Sequence, residues 1–147
     1  MKTFFDDVQR FHDRFGIPSF DLRKPCQFPE FEIIEYRLKF LKEEIREFEL
    51  AIIEKNLADA LDALGDLVYV ALGTAHYFNA PMNEIWQEIQ RSNMARVKVS
   101  REDCPPDKQY RADEGLVMKP PDWIPPRIPA IIESHNSFVK KLHAENI

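Results

Sequence analysis

Apolar residues recur at alternating steps of three and four along most of the chain, which is the period of an amphipathic helix. The helices predicted in this way cover about residues 3–15, 30–55, 57–78, 81–98 and 129–144. Thr3 and Asp6 form a capping-box pattern at the first helix start, and Pro81 suits the first turn of the fourth helix. Asn56 is expected to lie between the second helix and the third and to end the second. There is no strand alternation and no internal repeat, so the pattern predicts an all-α protein.

Prolines mark the segments between these helices. The connector over residues 16–29 and the segment over residues 100–126 hold nine of the eleven prolines, whereas residues 30–80 have none. We therefore expect two uninterrupted long helices, preceded by a proline-rich connector and followed, after the fourth helix, by a proline-rich tail.

Composition restricts the class of protein. The chain of 147 residues suits one domain, and no apolar run reaches the roughly 18 residues that a membrane span needs. The first ten residues include two aspartates where a signal peptide needs an apolar stretch. Cys26 and Cys104 are too few for a disulfide framework, so a cytoplasmic location is expected.

The formal net charge is -5, and the excess is confined to one part of the sequence. From Glu30 to Asp66 there are eleven acidic and five basic residues, a net of -6, and the remaining 14 acidic and 15 basic residues give +1. An acidic balance argues against binding to nucleic-acid backbones. Its concentration on the second and third helices needs a physical reason.

On the second helix, Glu44 and Glu47 lie in a sector that they share with Tyr36 and Phe40, when positions are projected at 100° per residue. Glu43 lies at the border of this sector, and other charged residues form an ordinary solvated face. A single glutamate on a long amphipathic helix is most often a solvated charge. That interpretation stays open for each of the three residues.

The third helix is apolar over more than half of its circumference, which predicts burial. Its charges form one stripe, Asp59, Asp62 and Asp66, and no Lys or Arg lies between Asn56 and Gln90 to pair with them. A stripe that faces water is the alternative, but such a stripe ordinarily includes basic residues as i, i+4 partners.

Two helices joined by a tight turn pack antiparallel, which can place Glu44 and Glu47 opposite Asp62 and Asp66. Four oxygen-donor side chains at one point are the ligand set that Mg²⁺ or Mn²⁺ prefers. The two cysteines and four histidines show no soft-metal spacing. A di-iron bundle requires Glu-x-x-His pairs, and none is present.

The sequence Glu43-Glu44-Ile45-Arg46-Glu47 resembles the Glu-Glu-x-x-Glu motif of the all-α nucleoside triphosphate pyrophosphohydrolases, which include MazG-like proteins, dimeric dUTPases and phosphoribosyl-ATP pyrophosphohydrolases. The second motif of that superfamily, Glu-x-x-Asp, is altered here. Ala63 stands three residues before Asp66, and the nearest acidic residue is Asp62, with Asp59 as a weaker candidate. Segments 62–75, 91–97 and 120–126 are similar to a MazG-like branch from phage and bacterial genomes.

The resemblance implies a four-helix MazG-like catalytic core within residues 1–126, with the helix over residues 127–147 outside it. It also implies Mg²⁺-dependent cleavage of a (d)NTP to a (d)NMP and pyrophosphate, with Mn²⁺ as a substitute, in a phage or bacterial cytosol. The implied metal ligands are Glu44, Glu47, Asp62 and Asp66, and the implied catalytic carboxylates are Glu43, Glu44 and Glu47, with Glu43 as general base or a further ligand.

Further side chains are candidates for contacts to the phosphates, sugar or base. They are Asn93, Arg96 and Lys98 near the end of the fourth helix, Arg37 one heptad before Glu44, Tyr69 one turn beyond Asp66, and His12 on the first helix. Asn93 and Arg96 continue an apolar stripe that includes Trp86 and are expected to face inward. Dipole compensation, core packing or a backbone hydrogen bond is the competing role. Because some phage relatives in the branch that this sequence resembles prefer guanine nucleotides, the resemblance favours (d)GTP as the substrate.

The third helix is too apolar for one small chain to cover, so a homodimer or homotetramer is expected. The alternative function is a non-catalytic helical module whose acidic cluster binds a metal or a basic partner. Neither nucleic acid nor membrane is an expected partner.

Overall fold

A computed structural model describes residues 2–100, 102–104, 106 and 117–145. Within them the chain forms α1 (Phe4–Phe15), α2 (Phe31–Ile53), α3 (Leu57–Tyr77), α4 (Met82–Met94), β1 (Val97–Lys98), β2 (Val117–Met118) and α5 (Ile128–Glu145). The predicted all-α class is confirmed. Residues 107–116 of the expected proline-rich tail lie outside the described residues.

Local chemistry sets both ends of α1, as the sequence predicts. The Oγ1 of Thr3 accepts the backbone N–H of Asp6 at 3.2 Å, and the Asp6 carboxylate accepts the backbone N–H of Thr3 at 2.8 Å. Gly16 then ends the helix at φ 66°, a left-handed conformation that glycine adopts without steric cost. The buried residues of α1 are Phe5, Val8 and His12.

The turn between α2 and α3 is short enough to make them antiparallel neighbours. Asn56 both separates the helices and starts the second one, because its side-chain oxygen accepts the N–H of Asp59 at 3.3 Å. The buried residues near the turn are the small Ala51, Ala60 and Ala63, which let two helix backbones approach closely. This helix pair is the main packing contact in the described part of the chain.

Much of the apolar surface of α2 and α3 is left uncovered within one chain. Ile53 is 75% exposed, Leu57 73% and Leu61 61%. The predicted burial of α3 is therefore not met inside a single chain, whose buried α3 residues are Ala60, Ala63, Gly73 and His76 in the described part. None of the helices in the described ranges is long and apolar enough to cross a membrane.

Two asparagine side chains hold the connector between α1 and α2. Asn79, just after α3 at φ 50°, accepts the N–H of Asp21 at 2.7 Å and donates to the carbonyls of Asp21 and Lys24 at 3.0 and 2.5 Å. Asn136 of α5 accepts the N–H of Cys26 at 2.8 Å and donates to its carbonyl at 3.1 Å. These amides satisfy backbone groups that have no helix or sheet partner.

A buried histidine adds a third hold on the connector. His76 is 1% exposed; its Nδ1 accepts the N–H of Phe20 at 3.0 Å and its Nε2 donates to the carbonyl of Phe5 at 3.2 Å. Burial lowers the pKa of His76 to about 4, so the ring is neutral near pH 7 and carries its proton on Nε2. His76 thus acts as a structural link between α1, α3 and the connector.

The chain divides into two compact units, one of Met1–Asn83 with Ala130–Ile147 and one of Glu84–Pro129. The sequence-based division into a catalytic domain over residues 1–126 and a helix over residues 127–147 stays a prediction. From Ala130 onward α5 belongs to the first unit, where Asn136 binds the connector. The two partners of this contact lie 110 residues apart in the sequence.

In the second unit, α4 ends at Met94, although the sequence predicts helix to about residue 98. Val97 and Lys98 instead pair antiparallel with Met118 and Val117. The pattern of apolar residues predicts no strand here. A ladder of two residues is too short for alternation to appear in the sequence.

The second unit is organised around Glu88, which accepts five hydrogen bonds from two arginines. The nitrogens of the Arg91 side chain lie at 2.9 and 2.8 Å, and the backbone N–H and Nε of Arg127 lie at 3.0 and 2.9 Å. These hydrogen bonds hold the pKa of Glu88 far below its ordinary value. Nearby, Trp123 donates to the carbonyl of Ser92 at 2.9 Å.

Candidate active site

The antiparallel α2 and α3 bring the five predicted carboxylates into one cluster, which we call the acidic cluster: Glu43, Glu44, Glu47, Asp62 and Asp66. Glu44 is its most enclosed member. Burial raises the pKa of the Glu44 carboxyl, and the charges of Glu47, Asp66, Glu43 and Asp62 raise it further, in that order. The helical spacing read from the sequence therefore does place these side chains within electrostatic reach of one another.

Glu44 also carries an orphaned polar atom. Its Oε2 is buried and has no hydrogen-bond partner in the described part of the chain. An unpartnered carboxylate oxygen away from water is costly, and four carboxylates nearby increase that cost. Among the salt bridges of the described residues, none involves a member of the acidic cluster.

The donor set fits a hard divalent cation, because all of its groups are carboxylate oxygens and one is left without a partner. Glu43, Glu47, Asp62 and Asp66 are exposed around the half-buried Glu44. Among the described residues, no group of three or more Asp, Glu, His or Cys side chains is arranged so that it could hold a metal ion. The fit to a divalent cation therefore rests on the chemistry of the donor groups and on the unpartnered oxygen of Glu44, not on the distances between the carboxylates.

Asp62 and Asp59, the two candidates for the missing glutamate of the second motif, have different surroundings. The charge of Asp62 is among those that raise the pKa of Glu44. Asp59 lies in the first turn of α3, where its carboxylate accepts a hydrogen bond from the side-chain amide of Asn56 at 2.6 Å. Asp59 therefore belongs to the helix start rather than to the acidic cluster.

Arg37, one heptad before Glu44, forms no salt bridge with it in the described part of the chain. It is half-buried, and its Nε and Nη2 donate to Thr74 Oγ1 at 3.1 Å and the Val70 carbonyl at 2.8 Å. Its guanidinium carbon lies 5.3 Å from the ring centre of Tyr77. Burial lowers the pKa of Arg37, and Glu44 is not among the charges that act on it.

His12 and Tyr69 lie at the contact between α1 and α3. His12 is 4% exposed and bonds through Nδ1 to the carbonyl of Pro18 at 2.6 Å. Tyr69 is 39% exposed and packs edge to face against Phe11, with ring centres 5.7 Å apart. Burial raises the pKa of the Tyr69 hydroxyl, and the charge of Asp7 raises it further. Both side chains share the first unit with the acidic cluster.

Asn93, Arg96 and Lys98 lie in the second unit and are exposed, which differs from the expected inward orientation of Asn93 and Arg96. Trp86 is exposed as well, at 61%. The buried residues of α4 are Ile85, Glu88 and Ser92. The substrate-binding role of these three polar residues stays a prediction of the sequence.

Sequence reasoning missed the part played by Gly73. Its Cα lies so close to its neighbours that a Cβ would stand 3.0 Å from Arg37 Nη2 and 3.2 Å from His12 Nε2. The available signal was its position on the same side of α3 as Asp66 and Tyr69. A glycine inside a helix, where it costs up to about 1 kcal/mol, often marks such a close approach.

A cavity of about 360 Å³ lies at the other end of α3, lined by residues that include Pro18, Phe28, Tyr77 and Asn79. No member of the acidic cluster lines it. His76, which does, is ten residues beyond Asp66, or about 15 Å along the helix. The carboxylate chemistry of the molecule is therefore separate from this cavity.

Comparison with known proteins finds a family match over residues of α1 to α4. Residues 8–93 match the model of the phosphoribosyl-ATP pyrophosphohydrolase family, a stretch that includes α2, α3 and the whole acidic cluster. Asn93 is the last matched residue, so Arg96, Lys98 and α5 lie outside the match.

The chain is also 35% identical over 77 residues to an uncharacterized protein, L479, of Acanthamoeba polyphaga mimivirus. That match covers 52% of this chain and 31% of the viral protein, so the chain corresponds to under a third of that relative. Because the family match covers more than half of the chain and contains every member of the acidic cluster, this protein belongs to the phosphoribosyl-ATP pyrophosphohydrolase family.

Proposed function

We propose that the chain is a Mg²⁺-dependent nucleoside triphosphate pyrophosphohydrolase that converts a (d)NTP to a (d)NMP and pyrophosphate. Glu44 is the observation that carries the proposal, since its buried oxygen has no partner in the described chain and the charges of four other carboxylates act on it. MazG-like pyrophosphohydrolases generally depend on divalent metals. Mn²⁺ has the same preference for oxygen ligands and is the expected substitute.

Glu44, Glu47, Asp62 and Asp66 are the residues proposed to hold the metal. When bound, Mg²⁺ supplies positive charge against the negative charge that develops on the phosphoryl oxygens. Glu43, at the exposed border of the acidic cluster, takes a proton from the attacking water. The water oxygen bonds to the α-phosphorus as the bond from that phosphorus to the bridging oxygen breaks, so pyrophosphate leaves and the monophosphate remains.

A panel of the eight common (d)NTPs, incubated with the protein and Mg²⁺ and resolved by chromatography, tests the reaction. Monophosphate and pyrophosphate are the expected products, and Glu47→Gln or Asp66→Asn is expected to abolish them. Glu49→Gln is the matched control, because Glu49 is exposed on α2 and lies outside the Glu-Glu-x-x-Glu motif. A diphosphate with inorganic phosphate, or no turnover of any triphosphate, would contradict the proposal.

Metal binding is tested separately from turnover by thermal unfolding. A cation that binds only the folded protein raises its stability by about 2.7 kcal/mol at a hundredfold excess over Kd. Mg²⁺ or Mn²⁺ is expected to raise the Tm of the wild type and of Glu49→Gln, but not of Glu44→Gln. A metal-dependent rise in Tm without turnover would favour the non-catalytic module instead.

We further propose that a second copy of the chain covers the exposed apolar face of α2 and α3, giving a homodimer or a dimer of dimers. The face includes Ile53, Leu57 and Leu61, each more than half exposed. Sedimentation analysis of the wild type and of Leu57→Glu tests this assembly. A wild-type monomer at micromolar concentration would count against it.

A further inference from the structure

Three aromatic side chains that the proposed chemistry does not use form a continuous exposed surface, which we call the aromatic patch: Phe11, Phe15 and Tyr69. The ring centres of Phe11 and Phe15 lie 4.7 Å apart, and Phe11 meets Tyr69 edge to face at 5.7 Å. The exposed fraction is 42% for Phe11, 59% for Phe15 and 39% for Tyr69. Contiguous aromatic rings that stay open to solvent often mark a binding surface.

The contacts of α1 give its direction relative to α3. Phe5, near the start of α1, stacks on His76 with ring centres 3.9 Å apart. Phe11, further along α1, contacts Tyr69, which precedes His76 on α3. The two helices therefore run antiparallel, and the end of α1 points in the direction of the acidic cluster.

The aromatic patch consequently lies next to the acidic cluster, in the same unit of the chain. Tyr69 is three residues beyond Asp66, or about 4.5 Å along α3. Phe15 is four residues beyond Phe11, or about 6 Å along α1, so it extends from Tyr69 towards Asp66. A ligand bound at the acidic cluster is thus within about one helical turn of exposed aromatic rings.

A nucleotide matches both surfaces at once. In the proposed function its phosphates bind at the acidic cluster, and its base, one sugar away, has two flat faces that stack well on aromatic rings. Arg14 adds to the flat surface, because its guanidinium carbon lies 5.6 Å from the ring centre of Phe15. A planar cation of this kind also stacks on a base.

The polar groups around the aromatic patch favour contact with the face of a base over recognition of its edge. His12 is 4% exposed and bonds to the carbonyl of Pro18 at 2.6 Å. Asp13 accepts a hydrogen bond from the hydroxyl of Ser19 at 2.5 Å. The hydroxyl of Tyr69 both donates and accepts, so it suits a donor or an acceptor on the base equally.

On the basis of the proposed function, we propose that the aromatic patch stacks on the base of the bound nucleotide and selects purine over pyrimidine nucleotides without distinguishing adenine from guanine. Two fused rings cover more of the patch than one ring does, whereas adenine and guanine have the same ring size and differ at their edges. The base stands apart from the reacting phosphorus, so stacking stabilises the ground state and the transition state equally. The contact therefore acts on KM and not on kcat.

The test is to measure kcat and KM for dGTP, dATP, dCTP and dTTP. The wild type is expected to give similar KM values for dGTP and dATP, each several-fold below those for dCTP and dTTP. A stacked base is worth about 5- to 150-fold in affinity, so Phe15→Leu is expected to raise KM for the purine nucleotides within that range and to leave kcat unchanged. Phe15→Trp keeps an aromatic ring and should restore the low KM. Phe4→Leu, at the other end of α1 and also exposed, is the matched control.

Some outcomes would overturn the inference even if no variant folded. They are a preference for dCTP or dTTP, or KM values for dGTP and dATP that differ by more than about tenfold, the size of a hydrogen-bonded edge contact. An unchanged KM in Phe15→Leu, or an equal rise in Phe4→Leu, would also overturn it. If Phe15→Leu changed the sedimentation coefficient and left every KM unchanged, the aromatic patch would be a contact between two copies of the chain instead.

Calorimetric binding separates this inference from the proposed reaction. With Mg²⁺ present, dAMP and dGMP are expected to bind the wild type more tightly than dCMP, and dCMP more tightly than deoxyribose 5-phosphate, which has no base. That order without hydrolysis of any triphosphate would support the stacking surface and contradict the proposed reaction. Hydrolysis with equal binding of all four probes would contradict the stacking surface and support the reaction.

Discussion

Two glutamates of this chain stand in opposite environments. Glu88 accepts five hydrogen bonds from two arginines, and its pKa lies far below the ordinary value. Glu44 has a buried oxygen without a partner in the described chain, four carboxylates act on it, and its pKa is raised. The same residue type is thus fully satisfied in one unit and left unsatisfied in the other.

The difference separates a structural carboxylate from one kept for a ligand. A satisfied carboxylate joins segments of the chain, as Glu88 joins Arg91 of α4 to Arg127. An unsatisfied one costs stability and persists where its free oxygen has a use. Replacing each glutamate by its amide should therefore damage different properties of the protein.

The largest expected effect is on activity. Glu44→Gln removes the charge of a proposed metal ligand and should lower kcat/KM by more than about 100-fold, because even residues that only support a ligand are worth 10- to 100-fold. Glu88→Gln should change kcat/KM far less when both are assayed below the Tm of the variant. Equal losses in the two variants would remove the functional distinction between the two glutamates.

Stability should respond in the opposite order. Glu88→Gln leaves two guanidinium groups without their carboxylate and is expected to lower Tm by several degrees, with or without Mg²⁺. Glu44→Gln removes one of five mutually repelling charges and should leave the metal-free Tm unchanged or raise it. Thermal unfolding in a chelator measures both, and a fall in Tm for Glu44→Gln would break the comparison.

His76 is a buried titratable side chain that is hydrogen-bonded, like Glu88, but is a base and not an acid. The pKa of His76 is lowered to about 4 from an ordinary 6.5. Between pH 4 and pH 6.5 the unfolded chain therefore binds a proton at this residue that the folded chain does not bind. Stability contributed by the neutral ring is full above pH 6.5 and falls as the pH is lowered toward 4, by up to about 3 kcal/mol.

Urea unfolding of the wild type and of His76→Gln between pH 7 and pH 4 measures this effect. The variant should start less stable, having lost two hydrogen bonds, and should show the weaker fall with acid. A wild type whose stability is flat over this range would mean that His76 can take up a proton while folded.

The smallest effects concern two glycines of α3. A Cβ on Gly65 meets nothing within 4 Å, so Gly65→Ala should raise the free energy of unfolding by about 0.5–1 kcal/mol through helix propensity. At Gly73 the same gain is offset by crowding against Arg37 and His12, worth about 1–3 kcal/mol. Gly73→Ala should therefore be neutral to destabilising in chemical unfolding, and a gain equal to that of Gly65→Ala would show that the two side chains move aside freely.

Features fixed by neighbours in sequence could be predicted. Thr3, Asp6 and Gly16 set the ends of α1 through hydrogen bonds and backbone geometry that act within a few residues. Helical periodicity and a tight turn, which makes α2 and α3 antiparallel neighbours, predict that Glu47, Asp62 and Asp66 lie within electrostatic reach of Glu44, as they do. The family match over residues 8–93 confirms the resemblance drawn from these motifs.

Features that depend on distant residues could not be predicted. The apolar period of α4 places Trp86 inside, yet Trp86 is 61% exposed while Glu88 is buried. Glu88 can be buried because Arg127, 39 residues away, donates to it, and no local pattern records that partner. The hydrogen bond that Arg37 donates to Thr74 depends likewise on how closely α2 approaches α3 at Gly73.

The bond between Asn136 and Cys26 sets an order of events when the chain is made. Its partners are 110 residues apart, and a ribosome adds roughly 5–20 residues per second, so the connector waits roughly 5–20 s for α5 to be synthesised. During that interval α1, α2 and α3 can already pair, and the connector can be held by contacts from α1 and from the end of α3, such as those of His76 and Asn79. In a cell, the last hold on the connector is therefore set by the pace of translation.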